Sequence, residues 1–228
     1  MIDFLIDGES GFKHGCYLSE LPNFPTSTRD VVSIDVQGRE HGALTEFYGW
    51  KDSQISLSIS VFDMKHVRRV MRQVVGWLYT AKKLSFSDDP TFYFRVKNVV
   101  MGEATDDMEV IGNLTVQFTI DPFQYQEMVP IQETHAFEVY NAGTMTSEPK
   151  ITLYGHGTLQ LVINGRRLFI INVNDSVVIN TEDQTTIGGT INKETDMIGD
   201  FPYFDVGLNK VDFTADKILV EPEWRWLM

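Results

Sequence analysis

The most regular pattern in this sequence is the alternation of apolar and polar residues over short segments. It is clearest in residues 54–61, where an aliphatic residue occupies every second position and serine or glutamine the others. Successive side chains of a strand point to opposite faces, so this alternation predicts a strand with one buried face. Other runs predict further strands at 31–36, 43–48, 83–86, 92–101, 113–120, 150–154, 158–163, 167–173 and 176–180.

One segment has a helical period instead. Its apolar residues recur at steps of three and four: Val67, Val70, Met71, Val74 and Leu78. They predict a helix over about 64–79, with Asp63 as the N-cap and Phe62 packing on Val67 in a hydrophobic staple. Four cations lie on the remaining faces: Lys65, Arg68, Arg69 and Arg72. This basic helix face fits an acidic neighbouring subunit or plain exposure to solvent, and the sequence alone leaves both readings open.

The proline positions predict a boundary between two domains. Pro122 and Pro130 bracket an exit from the first run of strands, because proline cannot donate to a strand ladder. The predicted domains are 1–128, with the helix, and 129–228, with strands alone. Asn164-Gly165 lies between two apolar runs and predicts a two-residue hairpin turn, and Gly207-Leu208-Asn209 predicts a second turn. The predicted fold class is therefore mainly β (α+β): an N-terminal β-sandwich-like domain with one helix and a C-terminal β-sandwich.

Charge and composition restrict the possible partners. The formal net charge is −13, which argues against wrapping nucleic acid, because phosphate contacts require clustered Lys and Arg. The acidic N-terminus and the lack of a long apolar run predict a protein that is made in the cytoplasm and does not insert into a membrane. Cys16 is the single cysteine, which excludes an internal disulfide.

No motif for catalysis, cofactor or metal binding is present in the sequence. The five histidines have no ligand spacing, and neither a nucleophile elbow nor a phosphate loop occurs. Adjacent acids such as Asp106 and Asp107 fit solvated turns better than a glycosidase pair. The tryptophans Trp50, Trp77, Trp224 and Trp226 are read as core residues, with stacking on sugars as the alternative. We therefore expect no catalytic residues, no cofactor and no metal.

Four segments together resemble one protein family. They are 38–44, the strand and helix from 54 onward, 121–125 and 200–226, which contains Phe-Pro, Gly-Leu-Asn and a Pro-x-Trp-Arg ending. In this order and spacing they resemble the distal tail proteins (Dit family) of long-tailed phages and prophages. The motif positions carried over are Gly38, Arg39, Phe201, Pro202, Gly207, Asn209, Pro222, Trp224 and Arg225. Glu223 departs from the pattern, where a basic or small residue is expected.

The resemblance implies a structural role in a virion. The N-terminal domain would close into a homohexamer, as a single ring or stacked rings, and a galectin-like C-terminal domain would project outward. The ring would join the tail-tube protein to the tail-associated protein at the tail tip, with a receptor-binding protein as a further partner. DNA would pass through its lumen without specific binding. Strand edges and the basic helix face would supply the interfaces between protomers.

Two of three alternative functions fit parts of the sequence. A host-saccharide-binding module would use Trp224, Trp226 or Tyr154 as exposed aromatic platforms. A cell-wall hydrolase would need converging acids or a metal, which the sequence does not offer. The tail-tube protein itself would stack its rings into tubes.

Overall fold

The computed structural model describes residues 2–38, 40, 43–63, 66–107 and 111–228, without the side chains of 44 and 104–107. The chain forms two compact units, one of residues 1–125 with Leu227 and Met228, the other of Gln126–Trp226. The predicted domain boundary, after residue 128, lies close to this division. Within the described residues no helix is long and apolar enough to cross a membrane.

The first unit is a mainly β structure with one helix. Its strands are β1 (Phe4–Ile6), β2 (Glu9–Ser10), β3 (Cys16–Leu18), β4 (Thr28–Ile34), β5 (Leu44–Lys51), β6 (Ser53–Phe62), β7 (Lys83–Phe86), β8 (Asp89–Asp107) and β9 (Ile111–Gln126). The main sheet has the strand order β2-β1-β7-β8-β9-β6-β3. Strands β4 and β5 form a separate two-stranded sheet.

The predicted strand at 54–61 is confirmed as the centre of the first core. Strand β6 pairs antiparallel with β9 along its whole length, from Ser53 opposite Ile120 to Phe62 opposite Ile111. Its alternate residues Ile55, Leu57, Ile59 and Val61 are all buried. Burial of each such side chain stabilises the fold by about 1.5–3 kcal/mol, which fixes the register of this strand.

The α-helix α1 spans Val67–Leu78 and packs on this core through Val67, Met71, Val74 and Leu78. The predicted apolar stripe is therefore confirmed, but the predicted start is wrong. His66, not Asp63, occupies the N-cap position and makes no side-chain cap. The Asp63 carboxylate accepts a hydrogen bond from the His66 backbone N–H, ahead of the helix. Val67 is the first helical residue, so the expected N′-to-N4 staple from Phe62 has the wrong register.

Strand β9 does not stop at Pro122, contrary to the prediction. It continues to Gln126. Its pairing with β6 ends at Ile120, so Pro122 lies where no ladder hydrogen bond to β6 is needed. The Pro122 carbonyl accepts a hydrogen bond from Ser27 Oγ at 2.5 Å.

The second unit is built from two packed sheets. Their strands are β10 (Ile131–Glu133), β11 (Phe137–Asn141), β12 (Lys150–Tyr154), β13 (Gly157–Ile163), β14 (Arg166–Val173), β15 (Ser176–Asn180), β16 (Thr185–Gly188), β17 (Ile191–Asn192), β18 (Met197–Ile198), β19 (Gly207–Phe213) and β20 (Lys217–Glu221). Strand β21 (Arg225–Leu227) spans the division between the units and belongs to neither of these two sheets. One sheet has the order β10-β20-β12-β15-β16-β17 and the other β11-β19-β13-β14-β18. Their inward side chains form a second core, which contains Leu161, Ile179 and Trp224.

The turns of this unit follow the sequence at one site and depart from it at another. Asn164 and Gly165 have φ angles of 50° and 84° and join β13 to β14, as predicted for a tight hairpin. The Gly-Leu-Asn segment is not a turn, because Gly207, Leu208 and Asn209 open strand β19. Asn209 nevertheless organises the loop that precedes the strand, as described below.

Candidate assembly surfaces

The basic helix face is exposed in the described part of the chain. Arg68, Arg69 and Arg72 are all exposed on the side of α1 away from the core. The Arg72 Nε donates to the Arg68 backbone carbonyl at 3.3 Å, so the Arg72 side chain follows the helix surface. Lys65 lies outside the described residues. The role of this face in assembly remains a prediction.

The β4–β5 hairpin presents apolar side chains on both of its faces. Directly opposed residues share a face, which places Val31 with Phe47 on one side and Val32 with Glu46 on the other. Phe47 is 56% exposed and Val32 46%. Ile34 and Tyr48 are also exposed. Neither face is covered by the first unit, and an isolated two-stranded hairpin is marginally stable in water.

The base of this hairpin is held by a small aromatic cluster. The Trp50 ring contacts the rings of Phe47 and Phe123, with centroids 5.8 and 6.3 Å away. The Arg29 guanidinium lies 5.7 Å from both the Phe47 and Trp50 centroids. Lys51 and Asp30 form an ion pair at 3.3 Å. The base is thus fixed, and the two strands project from it.

Strand β6 has a main-chain edge that is partly open. Its partner β3 pairs only with Ile59, Ser60 and Val61, and Ser19 N–H adds a bond to the Ser58 carbonyl at 2.8 Å. Among the described strands none pairs with residues 53–57 on that side. Unpaired edge groups of this kind are a template for a strand of another chain.

The motif residue Asn209 is fully buried and makes four hydrogen bonds. Its Oδ1 accepts from the Asp205 N–H and from Asn164 Nδ2, each at 2.8 Å. Its Nδ2 donates to the carbonyls of Asp205 at 2.8 Å and Gly207 at 2.9 Å. Gly207 has φ of 92°, a left-handed conformation that favours glycine. Both motif positions therefore shape the loop before β19.

Arg166 extends this network, here called the Asn209 network. Its Nη2 donates to the Tyr203 carbonyl at 2.8 Å and to Asp205 Oδ2 at 2.9 Å, and its guanidinium lies 3.8 Å from the Tyr203 ring centroid. Hydrogen bonds from Asn164 and from Arg166 lower the pKa of Asp205. The sequence around Arg166, a cation next to a hairpin turn, does not indicate this internal role.

The Pro-x-Trp-Arg ending is a packing motif of the second unit. Trp224 is 2% exposed and contacts the Phe204 ring at 5.5 Å. Arg225 Nε and Nη2 donate to the Thr146 carbonyl at 2.9 and 2.6 Å, and Nη1 to Glu148 Oε2 at 2.9 Å. The Pro222 carbonyl accepts from Ser147 Oγ. Glu223 has φ of 53°, which gives a physical reason for expecting a small residue there.

The remaining motif residues have mixed outcomes. Phe201 packs against the second core, and the Pro202 carbonyl accepts from Thr181 Oγ1 at 2.7 Å. Gly38 lies in the tip of the hairpin with φ of 85°. Arg39 lies outside the described residues. The carried-over positions in the second unit are therefore structural in character, and none of them forms an open aromatic platform.

The structure also bears on the other chemistry considered from the sequence. Trp77 is half-buried and stacks on His14 at 4.0 Å, so its reading as a packing residue is supported. Lys217 Nζ lies 4.3 Å from the Tyr154 ring centroid and occupies one face of that ring. Within the described residues no three His, Cys, Asp or Glu side chains are grouped so as to hold a metal ion.

Comparison with known proteins gives matches only at the level of structure. No known protein family and no curated protein matches the sequence. The SPP1 Dit protein (gp 19.1), presented as a paradigm of the hub adsorption apparatus in phages that infect Gram-positive bacteria, matches with a TM-score of 0.67 and 15% identity. The match covers 96% of this chain and 97% of that chain.

The second match is the phage P2 baseplate in its activated conformation with Ca, with a TM-score of 0.51 and 10% identity. It covers 96% of this chain and 97% of the other. Both matches extend over the two compact units. The chain therefore has the Dit fold along almost its whole length, which confirms, at the level of the fold, the resemblance indicated by its sequence motifs.

Proposed function

We propose that this chain is a structural component of a phage tail, a hub protein that forms a homohexameric ring at the distal end of the tail tube. The ring links the tube to the tail-associated protein and to the host-adsorption apparatus, and its lumen passes DNA. The chain takes its place in the virion tail tip after synthesis in the host cytoplasm. The role is non-enzymatic, and the similarity to the SPP1 hub protein and the P2 baseplate supports it.

The observation that carries the proposal is the β4–β5 hairpin. A two-stranded hairpin with exposed apolar side chains on both faces is stabilised when another surface covers them. Without such a surface, these side chains gain no free energy from burial. Residues Val32, Phe47 and Tyr48 are the largest contributors to these faces.

A second copy of the chain is the simplest source of that surface. The hairpin and the open edge of β6 are different patches of the same unit, so contact between them on neighbouring protomers is heterologous. Heterologous contacts generate a closed ring when the rotation between protomers closes. An identical contact then repeats around the ring, with the basic helix face available as an additional charged contact.

Light scattering over a concentration series, with negative-stain images of the largest species, tests ring formation. We expect closed rings of six protomers. A Phe47→Asp variant places a charge on the exposed hairpin face and should leave a folded monomer by circular dichroism. Tyr140→Asp is the matched control, because Tyr140 is 66% exposed on the second unit and should leave the rings intact.

Two outcomes contradict the proposal. A wild-type protein that remains monomeric throughout the series contradicts ring closure by the chain itself. Stacked tubes in place of single or paired rings would favour the tail-tube protein. The saccharide-binding function loses one of its three candidate platforms because Trp224 is buried.

A further inference from the structure

The turn between β13 and β14 contains the only Asn-Gly pair of the sequence, Asn164-Gly165. Both residues have positive φ angles, and both are exposed, so water reaches the turn. In an Asn-Gly pair the backbone nitrogen of glycine can attack the side-chain carbonyl carbon of asparagine, because glycine has no side chain to hinder the approach. The turn therefore contains both reacting groups of a deamidation.

The side-chain amide of Asn164 has a hydrogen-bond partner for each of its polar groups. Its Nδ2 donates to Asp205 Oδ2 and to Asn209 Oδ1, each at 2.8 Å. Its Oδ1 accepts from the Lys210 backbone N–H at 2.8 Å. A backbone N–H can only donate, so this last bond fixes which side of the amide carries the oxygen. The Asn209 network thus holds the amide in one orientation.

These hydrogen bonds oppose deamidation in the folded chain. The reaction forms a five-membered ring between Asn164 Cγ and the Gly165 nitrogen, and this ring replaces the planar amide that makes the three bonds. The loop before β19 must therefore release the amide before the reaction can proceed. The rate in the folded protein is then the rate in the open loop multiplied by the fraction of molecules in which the loop is open.

We propose that Asn164 is a deamidation site that the Asn209 network protects, and that the product prevents the loop from closing again. The Gly165 nitrogen forms a bond to Asn164 Cγ, and the amide nitrogen leaves as ammonia with the proton of the Gly165 N–H. Water then opens the cyclic imide to aspartate or isoaspartate. Water is the only co-reactant, and the reaction does not depend on ring assembly.

Neither product fits the closed loop. A carboxylate at residue 164 can only accept, yet it would face two acceptors, Asp205 Oδ2 and Asn209 Oδ1, where the amide now donates twice. The hydrogen bond from Asn164 is also the main interaction that lowers the pKa of Asp205, and deamidation removes it. Isoaspartate adds a methylene to the backbone of a two-residue turn, whose length sets Ile163 opposite Arg166.

Peptide mass spectrometry of the full chain, incubated at mildly alkaline pH, measures the conversion of residue 164 over time. We expect conversion at least about tenfold slower in the folded protein than in strong denaturant. Asp205→Ala and Asn209→Ala each remove one acceptor of the amide and should accelerate conversion in the folded protein by about tenfold. Asp212→Ala changes an exposed residue of the same strand, β19, and should leave the rate within about twofold.

The variant Asn164→Asp reproduces one product and tests its effect on the loop. Its denaturation midpoint should lie below that of the wild type, whereas the midpoint of Asp212→Ala should not change. Circular dichroism verifies that each variant is folded before the rates are compared, and Asp205→Ala is the decisive variant if Asn209→Ala does not fold. Equal rates in folded and denatured protein, equal rates for Asp205→Ala and Asp212→Ala, or an unchanged midpoint for Asn164→Asp would overturn this inference.

Discussion

At the scale of single residues, the Asn209 network explains a motif that has no catalytic group. The side-chain amide of Asn209 makes four hydrogen bonds, to backbone groups and to Asn164, that hold the loop at Asp205. Glutamine is too long for this geometry, and aspartate cannot donate to two carbonyls. The identity of residue 209 is therefore set by loop geometry within the second unit.

Asn209→Ala should lower the free energy of unfolding by about 3 kcal/mol, because buried polar groups would lose their partners. Chemical denaturation followed by circular dichroism measures this change. Asn98→Ala is the control, since Asn98 is exposed, and should change stability by less than about 0.5 kcal/mol. A similar stability for both variants would contradict the role assigned to Asn209.

The Cys16 thiol should be unreactive toward thiol reagents in the native protein. Burial, with a contribution from Asp3, raises the pKa of its thiol to about 12, so almost no thiolate exists at pH 8. Ellman's reagent should label one thiol per chain in strong denaturant and almost none in the folded state. Rapid labelling of the folded protein would contradict the burial of Cys16, and Cys16→Ser serves as the blank.

At the scale of elements, the sequence predicted the strands whose burial is one-sided. Alternation located β6 and the paired strands β12 and β15 nearly residue by residue, because each has one face in a core. The same pattern could not distinguish the β4–β5 hairpin, whose apolar residues are exposed on both faces. Alternation records which residues are apolar, and only tertiary structure determines whether a surface covers them.

The errors at element ends have local physical causes. A capping aspartate was expected at Asp63, but the helix begins at Val67, where the apolar stripe first meets the core. Proline was expected to stop β9, but Pro122 lies beyond the end of the β6 ladder. The sequence indicates candidate contact residues less directly than strands, because exposure to a partner leaves no periodic signal in the sequence.

Reversal of charge at Arg68, Arg69 and Arg72 should impair oligomerisation and leave the fold intact. These side chains are exposed and contribute no apolar packing to the fold. Their reversal should therefore remove only the electrostatic contact with an acidic neighbouring subunit. Light scattering measures assembly, and circular dichroism measures folding. Reversal of Lys13, Lys82 and Arg167 changes the net charge equally and is the control; an unchanged oligomer in the helix variant would refute the prediction.

At the scale of the whole molecule, the net charge is compatible with the proposed conduit. The formal net charge of −13 makes each protomer repel a polyanion, and a ring of several protomers multiplies that charge. The proposed lumen would pass DNA without retaining it. The same charge is compatible with self-assembly when apolar contacts, such as those of the hairpin, supply the attraction.

Double-stranded DNA should therefore not bind even at low salt, at which electrostatic binding is strongest. Anisotropy of a labelled duplex at about 20 mM salt measures this, with a basic DNA-binding protein as the positive control. Binding of the duplex that weakens steeply with added salt would contradict this prediction, because it would indicate a basic surface despite the negative net charge.

The hydrogen bonds of Ser27 connect distant parts of the sequence. Its N–H donates to the Met228 carbonyl at 2.8 Å, and Leu227 and Met228 belong to the first compact unit. Strand β4 begins at the next residue, Thr28. During synthesis on the ribosome, the aromatic cluster at the base of the hairpin can form once Phe123 has emerged, whereas the hydrogen bond from Ser27 to Met228 can form only after the core of the second unit has emerged. The residue before β4 therefore gains this hydrogen bond later than the rest of the hairpin base gains its contacts.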